Sequence, residues 1–208
     1  MKLNKAAMFG LDARIALAIF GALSVISGAA LYSAIQQAKV TSLITDMNEV
    51  DKASIAYMLD TGSPLPFATS AGPNAAGMLA IDNLVTKVHA ESNAPYLSYE
   101  DFNTTAGHDH IVNYTTPTFE MYIAARENTA WSNFTTTVGE CRKTSANCNQ
   151  YSCMWGPSHD LFKAIETQID GTATPGDDSD SGNVRYNKAG SVICIKGATY
   201  DPANSPLA

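Results

Sequence analysis

One uncharged stretch near the N-terminus constrains this chain more than any other feature. Residues 15–38 contain no Asp, Glu, Lys, Arg or His, and no Pro interrupts them. A bilayer core of roughly 30 Å requires about 20 apolar residues in an α-helix, so this stretch is long enough to span a membrane. A secretory signal peptide, a plain membrane anchor and a buried core helix are the general interpretations of such a segment.

The length of the stretch argues against a signal peptide, whose apolar region has about 7–15 residues. Beyond it the helical pattern continues in amphipathic form, with apolar side chains three and four residues apart. These side chains are Val40, Leu43, Ile44, Met47 and Val50. The pattern predicts a helix over residues 8–59, roughly 78 Å long at 1.5 Å per residue, with a stop signal at residues 60–64. A plain anchor has no need for this second half.

The residues before the stretch resemble the processing signal of the type IV pilin and pseudopilin family. In that family a short basic leader ends in a small residue, followed by a methylated hydrophobic residue and by an acid at the fifth mature position. Cleavage after Ala7 makes Met8 the first mature residue and Asp12 the fifth. The chain departs from the pattern because Ala7 replaces Gly, Asp12 replaces Glu and Arg14 lies in the first turns. Cleavage after Gly10 is the alternative, but it places an apolar residue at the fifth position.

The resemblance implies an α+β fold of pilin type. In it a long N-terminal helix, first transmembrane and then amphipathic, packs on a small antiparallel β-sheet with a disulfide-tied C-terminal region. The expected organisation is a leader over residues 1–7, a pilin helix over 8–60 and an extracytoplasmic globular domain over 61–208. Residues 15–38 would form the membrane or filament-core segment. In the family the acid, here Asp12, is thought to pair with the N-terminal amine of a neighbouring subunit. The alternative is that Asp12 is an interfacial residue beside Arg14, stabilised near a helix N-terminus by the helix dipole.

The same resemblance implies partners and a location. The partners would be other pilin-like subunits in a helical filament, a prepilin peptidase, the inner-membrane assembly machinery and the lipid bilayer. Lys2, Lys5 and Arg14 precede the stretch and only Asp12 opposes them, so the positive-inside rule places the N-terminus in the cytoplasm. We expect a bacterial inner-membrane protein with a periplasmic domain, which becomes a periplasmic or cell-surface filament. Major pilin, minor pilin and secretion pseudopilin remain open.

Charge and motifs exclude several functions. The net charge is −7, from 13 basic and 20 acidic residues, which disfavours a broad nucleic-acid-binding surface. No nucleophile elbow, phosphate loop, dinucleotide fingerprint or zinc-protease motif is present, so we expect no enzymatic activity. An anchored hydrolase would need the histidines of residues 107–110 to be catalytic. A single-pass anchored binding or sensor domain that does not polymerise is the main alternative to a filament subunit.

Four cysteines, Cys141, Cys148, Cys153 and Cys194, predict two disulfides in an oxidising compartment. Three pairings are possible. We favour Cys141 with Cys148 and Cys153 with Cys194, because the second pair would tie the last strand to the domain. A zinc site is disfavoured, since Cys148 and Cys153 have no second close pair.

An acidic loop at Asp177, Asp178 and Asp180 offers hard oxygen ligands. Major pseudopilins of type II secretion systems hold calcium in a comparable C-terminal loop, so the resemblance suggests calcium as a ligand. A solvated acidic turn is the alternative, and no Glu closes a 12-residue EF-hand loop here.

Local patterns predict the remaining elements of the domain. A helix is expected over residues 75–90 and another over 158–169, with a cysteine-bearing loop before the second. Strands are expected over residues 96–99, 110–115, 118–126, 131–138, 183–187 and 191–196.

Overall fold

The computed structural model describes residues 6–68, 77–86, 95–101, 111–112, 119–129, 139–171, 180–188 and 190–204. The chain divides into two compact units, Met1–Ser42 and Leu43–Ala208. Helix α1, Ala6–Thr61, belongs to the first unit up to Ser42 and to the second unit from Leu43 onward. The second unit also contains helix α2, His159–Ile169. Its strands are β1 Glu100–Asp101, β2 Ile111–Val112, β3 Glu120–Glu127, β4 Cys148–Trp155, β5 Val184–Asn187 and β6 Val192–Tyr200.

The strands form one antiparallel sheet in the order β1-β2-β3-β4-β6-β5. The second half of α1 packs on this sheet through an apolar stripe. Its members Leu43, Met47, Val50, Ala53 and Tyr57 recur every three or four residues and are all buried. The expected α+β fold, with a long N-terminal helix on an antiparallel sheet and a disulfide-bonded C-terminal region, is therefore confirmed.

Strand β4 lies at the centre of the sheet and is buried on both faces. Alternate residues of a strand point to opposite faces, so Gln150 lies on the face of α1 and Tyr151 on the other. The Ser54 hydroxyl of α1 donates to Gln150 Oε1 over 2.6 Å. On the opposite face Tyr151 and Cys153 pack with Tyr122 of β3 in an apolar cluster.

The sequence-based expectation of a loop in place of β4 is wrong. Sequence reasoning identifies strands from alternating polar and apolar residues or from continuous apolar runs. The segment Cys148–Trp155 alternates only over residues 150–153, and its polar residues Asn149, Gln150 and Ser152 are buried together with its apolar ones. A buried polar side chain needs a partner, and the partner of Gln150 comes from a helix 96 residues away in sequence.

The predicted helix over residues 75–90 is also wrong in its described part. Residues 77–79 are extended along β3, where the Leu79 N–H donates to the Ile123 carbonyl over 2.8 Å and the Ala125 N–H donates to the Gly77 carbonyl over 2.7 Å. Only Ile81–Leu84 is helical, as a single 3-10 turn. Gly77 has a φ of +83°, and a β-carbon there would lie 2.9 Å from the Ala125 carbonyl oxygen. Hydrogen bonds to β3, which lies far away in the sequence, therefore determine the conformation of these residues, although their local pattern favours a helix.

Three short segments share this outer edge of β3. Strand β2 pairs with its first residues, the extended residues around Met78 with its middle, and Glu140 with its end at Arg126. The Glu127 N–H donates to the Gly139 carbonyl over 2.8 Å. The edge is thus covered piecewise rather than by one long strand.

Most of the remaining predicted elements are confirmed where the structure describes them. The helix predicted over residues 158–169 is confirmed, and the Ser158 hydroxyl caps it by accepting from the Leu161 N–H over 3.3 Å. Strands β3, β5 and β6 are confirmed, and β6 continues to Tyr200. The strand predicted over residues 96–99 is displaced to β1, because the Tyr96 and Leu97 N–H groups both donate to the Leu84 carbonyl. Strand β2 lies within the predicted residues 110–115, whose other members, like residues 131–138, lie outside the described part.

Two disulfides tie β4 to its surroundings. Cys153 bonds to Cys194, its direct partner across the β4–β6 ladder. Cys148 bonds to Cys141, in the segment that follows the β3 edge contact. This is the pairing that the sequence favours.

A buried cation lies at the end of β3. Burial lowers the pKa of the fully buried Arg126 to about 10, and its interactions with Tyr122 and Glu140 oppose that shift. Glu140 is itself buried, and its carboxylate accepts from Arg142 Nη2 over 2.7 Å. A buried charge is costly without an opposite charge nearby, so Glu140 makes the burial of Arg126 tolerable.

Polar contacts hold the second half of α1 to the domain. The Asp51 carboxylate accepts from the Ala198 N–H over 3.0 Å. Two tyrosine hydroxyls donate to acids of the helix, Tyr99 to Glu49 over 3.1 Å and Tyr96 to Asp60 over 2.8 Å.

Replacing Asp51 tests the contact between helix and sheet. Asp51→Ala removes the acceptor of the Ala198 N–H and is expected to lower the free energy of unfolding by about 1–3 kcal/mol. Asp51→Asn retains an oxygen acceptor of the same shape and should lose less. Denaturant titration of the full chain in detergent micelles measures both, and equal losses in the two variants would contradict this role.

Removing each disulfide tests how β4 is tied. The Cys153–Cys194 bond closes a separation of 41 residues and the Cys141–Cys148 bond one of 7. Chain entropy therefore predicts that Cys153→Ala/Cys194→Ala lowers the free energy of unfolding by about 1.5 kcal/mol more than Cys141→Ala/Cys148→Ala. The same titrations measure the difference, and a larger loss from the shorter loop would refute the expectation.

Candidate membrane and assembly interface

The first half of α1 exposes large apolar side chains on every side. Their exposed fractions lie between 46% and 73%. They are Ile15, Leu17, Ile19, Phe20, Leu23, Val25, Ile26, Leu31, Tyr32 and Ile35. With 3.6 residues per turn these positions point in all directions around the axis, so this half of the helix has no polar face.

Within the described residues, one helix is long and apolar enough to cross a membrane. Its most apolar window has a mean hydropathy of 2.1, and none of that window is buried. Disulfides in the second unit indicate an extracytoplasmic compartment for the domain. The chain therefore combines an apolar helix suited to lipid with a domain suited to an oxidising environment.

Charged residues mark both ends of this apolar segment. Asp12 and Arg14 precede it, Lys39 follows it, and all three are exposed. Residues two apart on a helix are separated by about 200° around its axis, so Asp12 and Arg14 do not face each other. The segment has an acid on one side of its first turns and a base on nearly the opposite side.

The residues predicted to undergo processing lie in the first turn of α1. Ala7 and Met8 have helical backbone, and their side chains lie outside the described part. Cleavage between them, and methylation of Met8, remain predictions.

Glycines of the first unit lie in open space. A β-carbon added at Gly10, Gly21 or Gly28 would meet no atom within 4 Å. No contact within the described chain therefore requires glycine at these positions, although glycine in a helix interior costs about 1 kcal/mol relative to alanine. The close approach of another helix is one physical reason for glycine there.

The predicted calcium loop lies mostly outside the described residues. Asp177 and Asp178 are not among them, and Asp180 is exposed. At the base of the loop the Asp170 carboxylate accepts from the Asn183 and Val184 N–H groups, both over 2.9 Å. No group of three acidic, histidine or cysteine residues that could hold a metal is found in the described part. Calcium binding remains a prediction.

Sequence reasoning identified the apolar segment and its flanking charges, but it missed the polar residues that position α1 on the sheet. Asp51, Ser54 and Gln150 act through partners far away in sequence, and no local motif marks them. His108 and His110 lie outside the described residues. His159 stands at the start of α2 beside the Phe162 and Tyr186 rings, at 5.8 and 5.6 Å.

No family model, curated protein or solved structure matches this chain.

An aspartate at the centre of the apolar segment tests its membrane role. Ile26→Asp is expected to make insertion about 2.5–3.5 kcal/mol less favourable, since that is the cost of a charge at the centre of a membrane helix. The ratio of inserted to uninserted chain in isolated membranes should fall about 100-fold. Leu59→Asp is the matched control, because Leu59 is also an exposed apolar residue of α1 and lies beyond the segment. Equal insertion of the two variants would contradict a membrane span at residues 15–38.

Proposed function

We propose that the chain is a structural subunit of a type IV pilus-like or type II secretion pseudopilus filament. A prepilin peptidase cleaves it after Ala7, and it polymerises through the first half of α1. The observation that carries the proposal is the exposure of large apolar side chains all round that half, on a helix whose second half packs on a disulfide-bonded sheet. Such a surface needs an apolar environment on every side, and lipid before assembly followed by neighbouring helices after it supplies one.

The small residues support the step from lipid to a helical core. In lipid, helix association depends on close packing, and small residues allow backbones to approach each other. The open positions at Gly21 and Gly28 fit this requirement. Head-to-tail contacts that do not close into a ring propagate as filaments, which is the symmetry that the proposal requires.

The location follows from the same reasoning. Before assembly the subunit resides in a bacterial inner membrane with its N-terminus in the cytoplasm and its domain in the periplasm. After assembly it belongs to a periplasmic or cell-surface filament. The family-like leader with Lys2 and Lys5, and the two disulfides, support this arrangement.

Mass spectrometry of the protein from its native membrane tests processing. The expected mature N-terminus is a methylated Met8. An intact leader would favour a single-pass anchored binding or sensor domain that does not polymerise.

Variants of Asp12 test assembly. Asp12→Ala is expected to insert into the membrane normally and to disappear from sheared filaments, since it lacks the acid that the family uses in assembly. Asp12→Glu keeps a carboxylate and should assemble. Membrane fractionation measures insertion, and normal assembly of the alanine variant would contradict the role of Asp12.

A further inference from the structure

We infer that Asp12 of one copy pairs with Arg14 of the adjacent copy. The partner of this surface is thus a second copy of the chain, recognised by an opposite charge at nearly the same depth. The inference rests on the proposed function, because it requires the first halves of α1 to pack side by side. It adds Arg14, a departure from the family pattern, as a residue that directs assembly.

Asp12 and Arg14 are the only side-chain charges of residues 6–38. Both are exposed, and the described residues provide neither with an ion-pair or hydrogen-bond partner. They cannot pair with each other within one helix, because side chains two residues apart point away from each other. The next acid in the sequence is Asp46, which belongs to the other compact unit. Arg14 therefore lacks an acid beside it in its own unit.

Assembly changes what these charges touch. In a single membrane-inserted copy, charged side chains near a helix end can extend to the interface and stay hydrated. Packing between neighbouring helices removes that water, and a buried charge without a counter-charge is strongly unfavourable. The arrangement of Asp12 and Arg14 supplies the counter-charge from the neighbour on each side.

The angular placement also selects the symmetry of the contact. In a two-fold dimer the same patch serves both copies, so the acid and the base would have to lie on one side of the helix. They lie about 200° apart, so each copy offers an acid to one neighbour and a base to another. This is a head-to-tail arrangement, which propagates instead of closing in a pair.

The dimensions suit parallel helices. Asp12 and Arg14 differ by two residues, or about 3 Å along the axis, so a small axial shift between parallel copies brings the two groups level. The arginine side chain is long, and its planar fork binds a carboxylate through two parallel hydrogen bonds. Antiparallel copies would place the two groups at opposite ends of the apolar segment.

Charge reversal tests the pair in the full chain, in cells that assemble the native filament. Arg14→Glu and Asp12→Lys should each lower the fraction of chain in sheared filaments at least tenfold, since each places like charges opposite one another. The double variant Asp12→Lys/Arg14→Glu restores opposite charges and should recover most of the assembly. Lys39→Glu reverses a charge at the other end of the segment and should assemble as the unmodified chain does.

The outcomes separate this inference from the proposed function. If the unmodified chain is cleaved and assembles but Arg14→Glu assembles normally, the pair is wrong and the filament role stands. If Asp12→Lys and the double variant are equally defective, Asp12 acts through another cation, such as the N-terminal amine, and the pair is again wrong. If the unmodified chain keeps its leader and forms no filament, the proposed function itself fails. Membrane fractionation and the mature mass of each variant exclude defects of insertion or cleavage.

Discussion

The position of β4 between two covered faces is the constraint on which the rest of the domain depends. The strand is bonded along both edges, to β3 and to β6, and its disulfides reach Cys141 on one side and Cys194 on the other. The buried amide of Gln150 accepts a hydrogen bond from the Ser54 hydroxyl of α1. The second half of the helix therefore contacts a central strand that is hydrogen-bonded along both edges and held by two disulfides.

The two halves of α1 follow different physical rules. The second half has a stripe of apolar residues whose burial is satisfied within the chain, together with acids that bind backbone and tyrosine donors of the domain. The first half has no stripe, because apolar residues surround it entirely. Its burial cannot be satisfied by one sheet face and needs neighbours in every direction. Lipid and other helices both provide such an environment. They differ chiefly at Asp12 and Arg14, which can stay hydrated at the lipid interface but need counter-charges between packed helices.

The sequence was sufficient to predict those elements whose apolar residues form a regular pattern. The stripe of α1 and the apolar residues of the capped helix α2 recur with the helical period. Strands β3 and β6 contain continuous apolar runs, and β5 alternates apolar and polar residues, so these sequences are readable as strands. Strand β4 and the extended residues around Met78 were missed, since both owe their conformation to partners far away in sequence. For the candidate interface, the uncharged segment and the flanking charges were evident from the sequence. Helical geometry alone predicts that Asp12 and Arg14 point in opposite directions. The contact between Asp51 and the Ala198 N–H is visible only in the structure.

The piecewise covering of the outer edge of β3 affects how readily this edge can pair with another chain. An exposed, continuous strand edge is a template for pairing with another chain and promotes aggregation. Within the described residues, the outer hydrogen bonds of β3 are taken by β2, by the residues around Met78 and by Gly139. In the proposed filament, domains packed close together would therefore find the outer hydrogen bonds of β3 already occupied.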